Sequence, residues 1–173
     1  MSVMTMRKLL LLASVLLLSA CGFQLRGSYT LPFDTVYITL PATSELHAML
    51  KRSIEASTKT RVVDSAKEAQ VILSILGDAP SKNILSLDTS GRVREFQLLR
   101  TVTYRVHDAA GRDWLPQSRV ALHRDISFSD TQVLSKEAEE ALLWRDMQGD
   151  LAQQMLRRLS AAKPPATPAA AAD

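Results

Sequence analysis

The chain has 173 residues, with 21 Lys and Arg against 18 Asp and Glu and a formal net charge of +3. Arg7 and Lys8 are the only charges before Cys21, so 19 basic and 18 acidic side chains remain from Cys21 onward, and no basic excess is left to argue for nucleic-acid binding. One cysteine excludes an internal disulfide, and His47, His107 and His123 lack the HxH or HxxxH spacing of a metal site.

The N-terminus reads as an export signal. Met6, Arg7 and Lys8 form a short basic head before the apolar run Leu9 to Leu18, which is the size of a signal-peptide core and too short to span a bilayer. Leu18-Ser19-Ala20-Cys21 then has the aliphatic, small, small, Cys order of a bacterial lipobox. Residues 1–20 are therefore expected to be a lipoprotein signal peptide. Cys21 is expected to carry S-diacylglycerol and an N-acyl chain, with no other cofactor. Gly22 stands where an inner-membrane retention signal usually has Asp, which points to the periplasmic side of an outer membrane. Residues 21–33, containing "FQLRGSYTLP", read as an extended lipidated leader.

A strand is predicted in "DTVYITL", where Val36, Ile38 and Leu40 share one face and Pro41 closes the run. A helix follows from about Thr43, capped by Thr43 or Ser44, with Leu46, Met49, Leu50 and Ile54 at helical spacing. Val71, Leu73 and Ile75 alternate before the Gly77-Asp78-Ala79-Pro80 break, and Ile84, Leu85 and Leu87 continue as a second piece of one long bent strand. "DTSG" from Asp88 is a turn.

In the next strand Phe96, Leu98, Val102, Tyr104 and Val106 face one way, and Glu95, Gln97, Thr101, Thr103 and Arg105 the other. Arg100 falls by parity on the apolar face, where a bulge, a carboxylate partner or snorkelling past a helix edge would accommodate it, and snorkelling is the plainest of these. "DAAGRD" reverses the chain, and a last strand places Val120, Leu122, Ile126 and Phe128 inward. Its Arg119, His123 and Asp125 point outward.

A long helix capped by Ser135 closes the domain, with the stripe Trp144, Met147, Leu151, Met155 and Leu159. "KPPATPAAAAD", residues 163–173, is a disordered Pro/Ala-rich tail. Residues 34–162 are thus expected to be an α+β domain of order β-α-β-β-β-α. The expected architecture is a two-layer sandwich, with a mostly antiparallel four-stranded sheet and two helices packed on one face.

No reaction centre emerges from these residues. His123, Asp125 and Ser127 share one strand face, but no Gly-flanked nucleophile turn accompanies them, and Gly-rich phosphate loops are absent. Catalytic and metal residues are expected to be none.

The "CGFQLRG" that follows the lipobox, the element order, the alternating "REFQLLRTVTYRV" and the terminal "LSKEAEEALLWRDM" together resemble the LPS-assembly lipoprotein family, LptE. The resemblance implies a non-enzymatic lipoprotein that plugs an LptD-like outer-membrane β-barrel one-to-one, aids its assembly and helps deliver lipopolysaccharide to the outer leaflet. It also implies lipopolysaccharide contact through basic residues at a strand turn and near the last helix start. Lys136 matches the helix position, whereas Thr89 takes the basic position of the turn, leaving Arg92 or Arg94 as substitutes and Lys82 on the neighbouring strand. The candidate lipopolysaccharide-binding set is Lys136, Arg92, Arg94 and Lys82, and Cys21 anchors the chain to the membrane. The same polar sheet face fits a stand-alone, periplasmic-facing lipid-binding or adaptor lipoprotein, which is the rival reading.

Overall fold

The computed structural model describes residues 29–165. The expected signal peptide, the lipobox with Cys21, the leader up to Ser28 and the tail from Ala166 lie outside the described residues.

The elements are β1 (Thr35–Ile38), α1 (Glu45–Ser57), β2 (Arg61–Val63), a 3₁₀ turn (Ala66–Glu68), β3 (Val71–Leu87), β4 (Val93–His107), β5 (Asp113–Ser127) and α2 (Val133–Leu159). They form one sheet of order β2-β1-β3-β4-β5. β1 runs parallel to both β2 and β3, while β3, β4 and β5 form an antiparallel meander.

The α+β class and the two helices match the sequence reading, but the sheet has five strands of mixed direction rather than four mostly antiparallel ones. The added strand is Arg61-Val62-Val63, too short to display a period of two. It is held by neighbours: Thr60 Oγ1 donates to the Phe33 carbonyl at 2.7 Å and the Arg61 amide to the Asp34 carbonyl at 2.9 Å.

Both helices cover the same apolar sheet face. Leu46, Leu50 and Ile54 of α1 and Met147, Leu151, Met155 and Leu159 of α2 join Val36, Leu73, Val102, Tyr104 and Val120 in a single core. Each fully buried aliphatic side chain there contributes about 1.5–3 kcal/mol. Leu31 and Phe33 belong to that core too. Ser44 caps α1, its Oγ accepting from the His47 amide at 3.4 Å. Ser135 does not cap α2. The helix begins at Val133, and Ser135 lies in its first turn with its hydroxyl donating to the Gln132 carbonyl at 2.9 Å.

The long bent strand is β3, and a bulge bends it. Register slips between Ile75 and Gly77, so Leu76 is the extra residue and the alternation of β3 changes phase. Before the bulge Val71 and Leu73 face the core; after it Asp78, opposite Val102, takes that face. Asp78 thereby meets Arg100, which is only 7% exposed. Nε donates to Oδ1 at 2.9 Å and Nη2 to Oδ2 at 2.7 Å. Snorkelling is therefore not how Arg100 is accommodated: a carboxylate partner, delivered by a bulge, holds it.

The two meander turns are built alike, from "DTSGR" and "DAAGR". In each, aspartate Oδ1 accepts the amides two and four residues on, Oδ2 accepts the arginine Nε, and a glycine adopts φ near 80°. Only glycine takes that conformation without strain.

Two outcomes follow. Asp78→Ala strands a buried guanidinium and lowers stability by about 3 kcal/mol, and adding Arg100→Leu recovers most of it; urea unfolding of both variants measures this, and an unchanged midpoint for the single variant contradicts the pair. Asp88 and Asp108 are both held below the ordinary value of 3.8, foremost by the backbone amides of Arg92 and Arg112, against a smaller opposing effect of desolvation. Their stabilisation is complete above the ordinary value and is lost as pH falls through the lowered folded values. Melting temperatures from about pH 5 to about pH 2 should decline less steeply in an Asp88→Asn, Asp108→Asn double variant.

Candidate functional site

The far end of the meander gathers most of the predicted site. β3 spans 17 residues, about 55 Å at ~3.3 Å per residue, and carries the β3–β4 turn far from β1, where the described chain begins. There the turn meets the loop from β5 to α2, because the Phe128 amide donates to the Arg94 carbonyl at 2.7 Å. Phe96 and Phe128 stack edge to face with centroids 5.4 Å apart, forming the floor of this end.

The four cations surround that floor in different states. Lys82 Nζ lies 4.2 Å above the Phe96 ring and donates to Glu140 Oε2 at 2.6 Å. Lys136 Nζ donates to Ser127 Oγ at 3.0 Å and to Glu139 Oε2 at 2.8 Å. Arg92 is tied by its Nε to Asp88 at 3.1 Å, just as Arg112 is tied to Asp108 in the other turn, so its first role is to staple the turn. Arg94 is exposed, and its guanidinium has no partner among the described residues. Arg92 and Arg94 also line a hollow of about 110 Å³ with Asp130 and Thr131. Thr89 sits exposed in the turn and brings no charge.

The sequence reading identified the cations and missed their partners. Glu139 and Glu140 follow Lys136 at three and four residues, a spacing that places them on its helix face, and Glu140 also reaches Lys82 and accepts from Trp144 Nε1 at 3.3 Å. Exposed ion pairs of this kind contribute about 0–1 kcal/mol, whereas a hydrogen bond from an ammonium or guanidinium to a phosphate contributes about 1.5–3 kcal/mol. A polyanion can thus displace the internal carboxylates. Exposed Ile84, Leu85, Leu87 and Leu134 lie on the same strand end and helix start, so the region offers apolar surface beside cations.

The strand face bearing His123, Asp125 and Ser127 assembles differently from a catalytic set. Asp125 Oδ1 accepts from Gln97 Nε2 at 3.3 Å, Ser127 Oγ accepts from Lys136, and His123 is exposed. His107 Nδ1 donates to the Asp108 carbonyl at 2.8 Å, which fixes Nε2 as the acceptor for Ser74 Oγ at 2.9 Å in the neutral ring. No helix among the described residues is long and apolar enough to cross a membrane. A larger hollow of about 520 Å³ lies at the opposite end, between Tyr29, Leu31 and Phe33 and the Ser57–Thr60 segment, remote from the four cations.

The family model described as LptE, lipopolysaccharide-assembly, matches residues 33–159. The chain belongs to the LptE family. It is 30% identical over 154 residues to the LPS-assembly lipoprotein LptE of Yersinia enterocolitica, covering 87% of this chain and 73% of that protein. Its likeness to the LptE of Pectobacterium atrosepticum is 27% over 150 residues, covering 84% and 80%. Among solved structures, lipoprotein B of Nitrosomonas europaea shares 43% identity with a TM-score of 0.71 over 81% of this chain and 91% of that one. A minor lipoprotein of Acinetobacter baumannii shares 26% with a TM-score of 0.63 over 78% and 99%. LptE is a non-enzymatic lipopolysaccharide-assembly family. Compared with wild type, Thr89→Lys should raise the affinity of the chain for lipopolysaccharide by several-fold, since it adds a cation beside Arg92 and Arg94 without disturbing the turn bonds; equilibrium binding at fixed ionic strength checks this, and an unchanged affinity removes the turn from the site.

Proposed function

We propose that this chain is an outer-membrane lipoprotein, anchored through acylated Cys21 on the periplasmic side, that plugs an LptD-like β-barrel and assists its assembly and the delivery of lipopolysaccharide. The observation that carries the reading is the family match over residues 33–159. Two features of the surface support it. The sheet face opposite the helices presents Thr35, Tyr37, Thr39, Ser74, Thr101, Thr103 and Arg105, a wettable surface suited to the polar lumen of a barrel. The meander end places Arg94 and Lys136 beside aromatic and aliphatic side chains, the combination that an anionic amphiphile needs.

The lipid anchor would act by concentration rather than by contact. Two or three acyl chains hold a domain on a bilayer almost irreversibly, which keeps the plug at the barrel mouth. Within the binding site Arg94 is the principal phosphate donor. Lys82, Lys136 and Arg92 are secondary, since Glu140, Glu139 and Asp88 already hold them.

Extraction of the tagged full chain in mild detergent without crosslinker should recover a heat-modifiable barrel in one-to-one ratio; recovery of the chain alone favours the stand-alone lipoprotein. Mass spectrometry should find the mature N-terminus at Cys21 with two or three acyl groups, and an unmodified thiol there removes the anchor. Replacing Arg92, Arg94 and Lys136 together by Ala should weaken lipopolysaccharide binding at least about tenfold, with the largest single loss from Arg94→Ala. Normal binding by the folded triple variant sinks the proposed patch.

A further inference from the structure

Among the described residues, β3 has a neighbour on one side only beyond Ile75. β1 ends at Ile38 opposite Leu73, and the last links across are the Thr39 amide to the Leu73 carbonyl and the Ile75 amide to Thr39 Oγ1, both at 3.1 Å. The Leu76 bulge then exchanges which peptide groups look outward. Leu73 and Ile75 turn theirs toward β1. After the extra residue Ala79, Ser81 and Asn83 occupy the positions bonded to β4, and Asp78, Pro80, Lys82 and Ile84 face the open side. Pro80, which has no N–H, fits the open side without costing the ladder a bond. The amides of Asp78, Lys82 and Ile84, and the carbonyls of these residues and Pro80, find no partner among the described residues.

The other long edge is treated differently. Along β5, Arg158 Nη1 donates to the Arg119 carbonyl at 2.7 Å, Arg124 Nη1 to the His123 carbonyl at 2.9 Å, and the Lys163 amide to the Trp114 carbonyl at 3.0 Å. β2, at the opposite side of the sheet, is only three residues long. Exposed apolar side chains also collect on the unguarded strand: Leu76, Ile84, Leu85 and Leu87 all belong to β3 and are 48–58% exposed. Its charges are already neutralised, Asp78 by Arg100 and Lys82 by Glu140.

We propose that the β3 edge from Gly77 to Ile84 receives an extended, uncharged segment of the barrel protein as an added strand, an inference that rests on the plug reading above. Backbone groups supply the attraction, and the flanking leucines and isoleucine seat alternate side chains of the incoming segment. The bulges at both ends and the missing donor at Pro80 limit the docking stretch to about eight residues, the way natural edges restrain open-ended pairing. They also select a different chain over a second copy, because a copy would bring the same missing donor and the same Lys82 to both sides of the pairing.

Amide exchange of the full lipidated chain, alone in detergent and in the extracted complex, tests this directly. The Lys82 and Ile84 amides should exchange quickly in the chain alone and at least about a hundredfold more slowly in the complex, while Ser81, bonded to β4, stays protected in both. Ile84→Pro deletes an outward donor and should reduce barrel recovery far more than Ile84→Ala, which keeps the amide. A recovered barrel with Lys82 and Ile84 still fast, or equal losses for the two variants, overturns the added strand and leaves the plug standing. Failure to recover any barrel overturns both. Slow exchange in the chain alone, accompanied by a dimer mass, assigns the edge to a second copy and overturns the proposed partner.

Discussion

The phase of β3 is the constraint on which the rest of the structure depends. A regular strand from Val71 to Leu87 would point Gly77 and Ala79 at the core and turn Asp78 to the opposite face. Arg100 would then be a buried cation without a counter-charge, at a cost of several kcal/mol. One inserted residue, Leu76, reverses that outcome. It brings a carboxylate to the guanidinium at bidentate distance, and by the same half-turn it aims a different set of peptide groups at solvent. Packing of the meander and the openness of its edge are two results of a single irregularity.

The meander end shows how a cluster of cations can be held in a compensated state. Lys82, Lys136 and Arg92 each hold an internal carboxylate, and those carboxylates keep a cluster of like charges from repelling one another. Because such pairs are weak in water, they hold the side chains in place without removing their capacity for a stronger anion. Arg94 stands outside this arrangement, its guanidinium without a partner among the described residues.

Much of this was legible in the primary structure, and the gaps have physical causes. Long alternating runs, such as Phe96 to Val106 with Arg100 as its one inner exception, announced their strand and its inner face. The apolar stripe from Trp144 to Leu159 announced the second helix. β2 was illegible because three residues contain too little pattern, and its existence depends on Thr60 and Asp34 holding it beside β1. The start of α2 was misplaced because Ser135, a residue type that favours capping, here turns its hydroxyl back on Gln132. Arg100 could be recognised as anomalous from parity, but Asp78 could not be named as its partner, since the bulge that unites them leaves no mark in composition. At the site, the cations were visible one by one, while their closeness to Phe96, Phe128, Glu139 and Glu140 is a product of the fold.

The matching turns at Asp88–Arg92 and Asp108–Arg112 bear on how the chain finds its shape. Each closes a hairpin over five residues with its own internal bonds, so little entropy is lost in bringing the strand ends together. The three-stranded meander can zip outward from two local nuclei. Docking β1 against β3 instead requires closing a loop of more than thirty residues, from Val36 to Val71. Docking of β1 therefore carries the larger closure entropy, and the meander with its two turns can form without waiting for it.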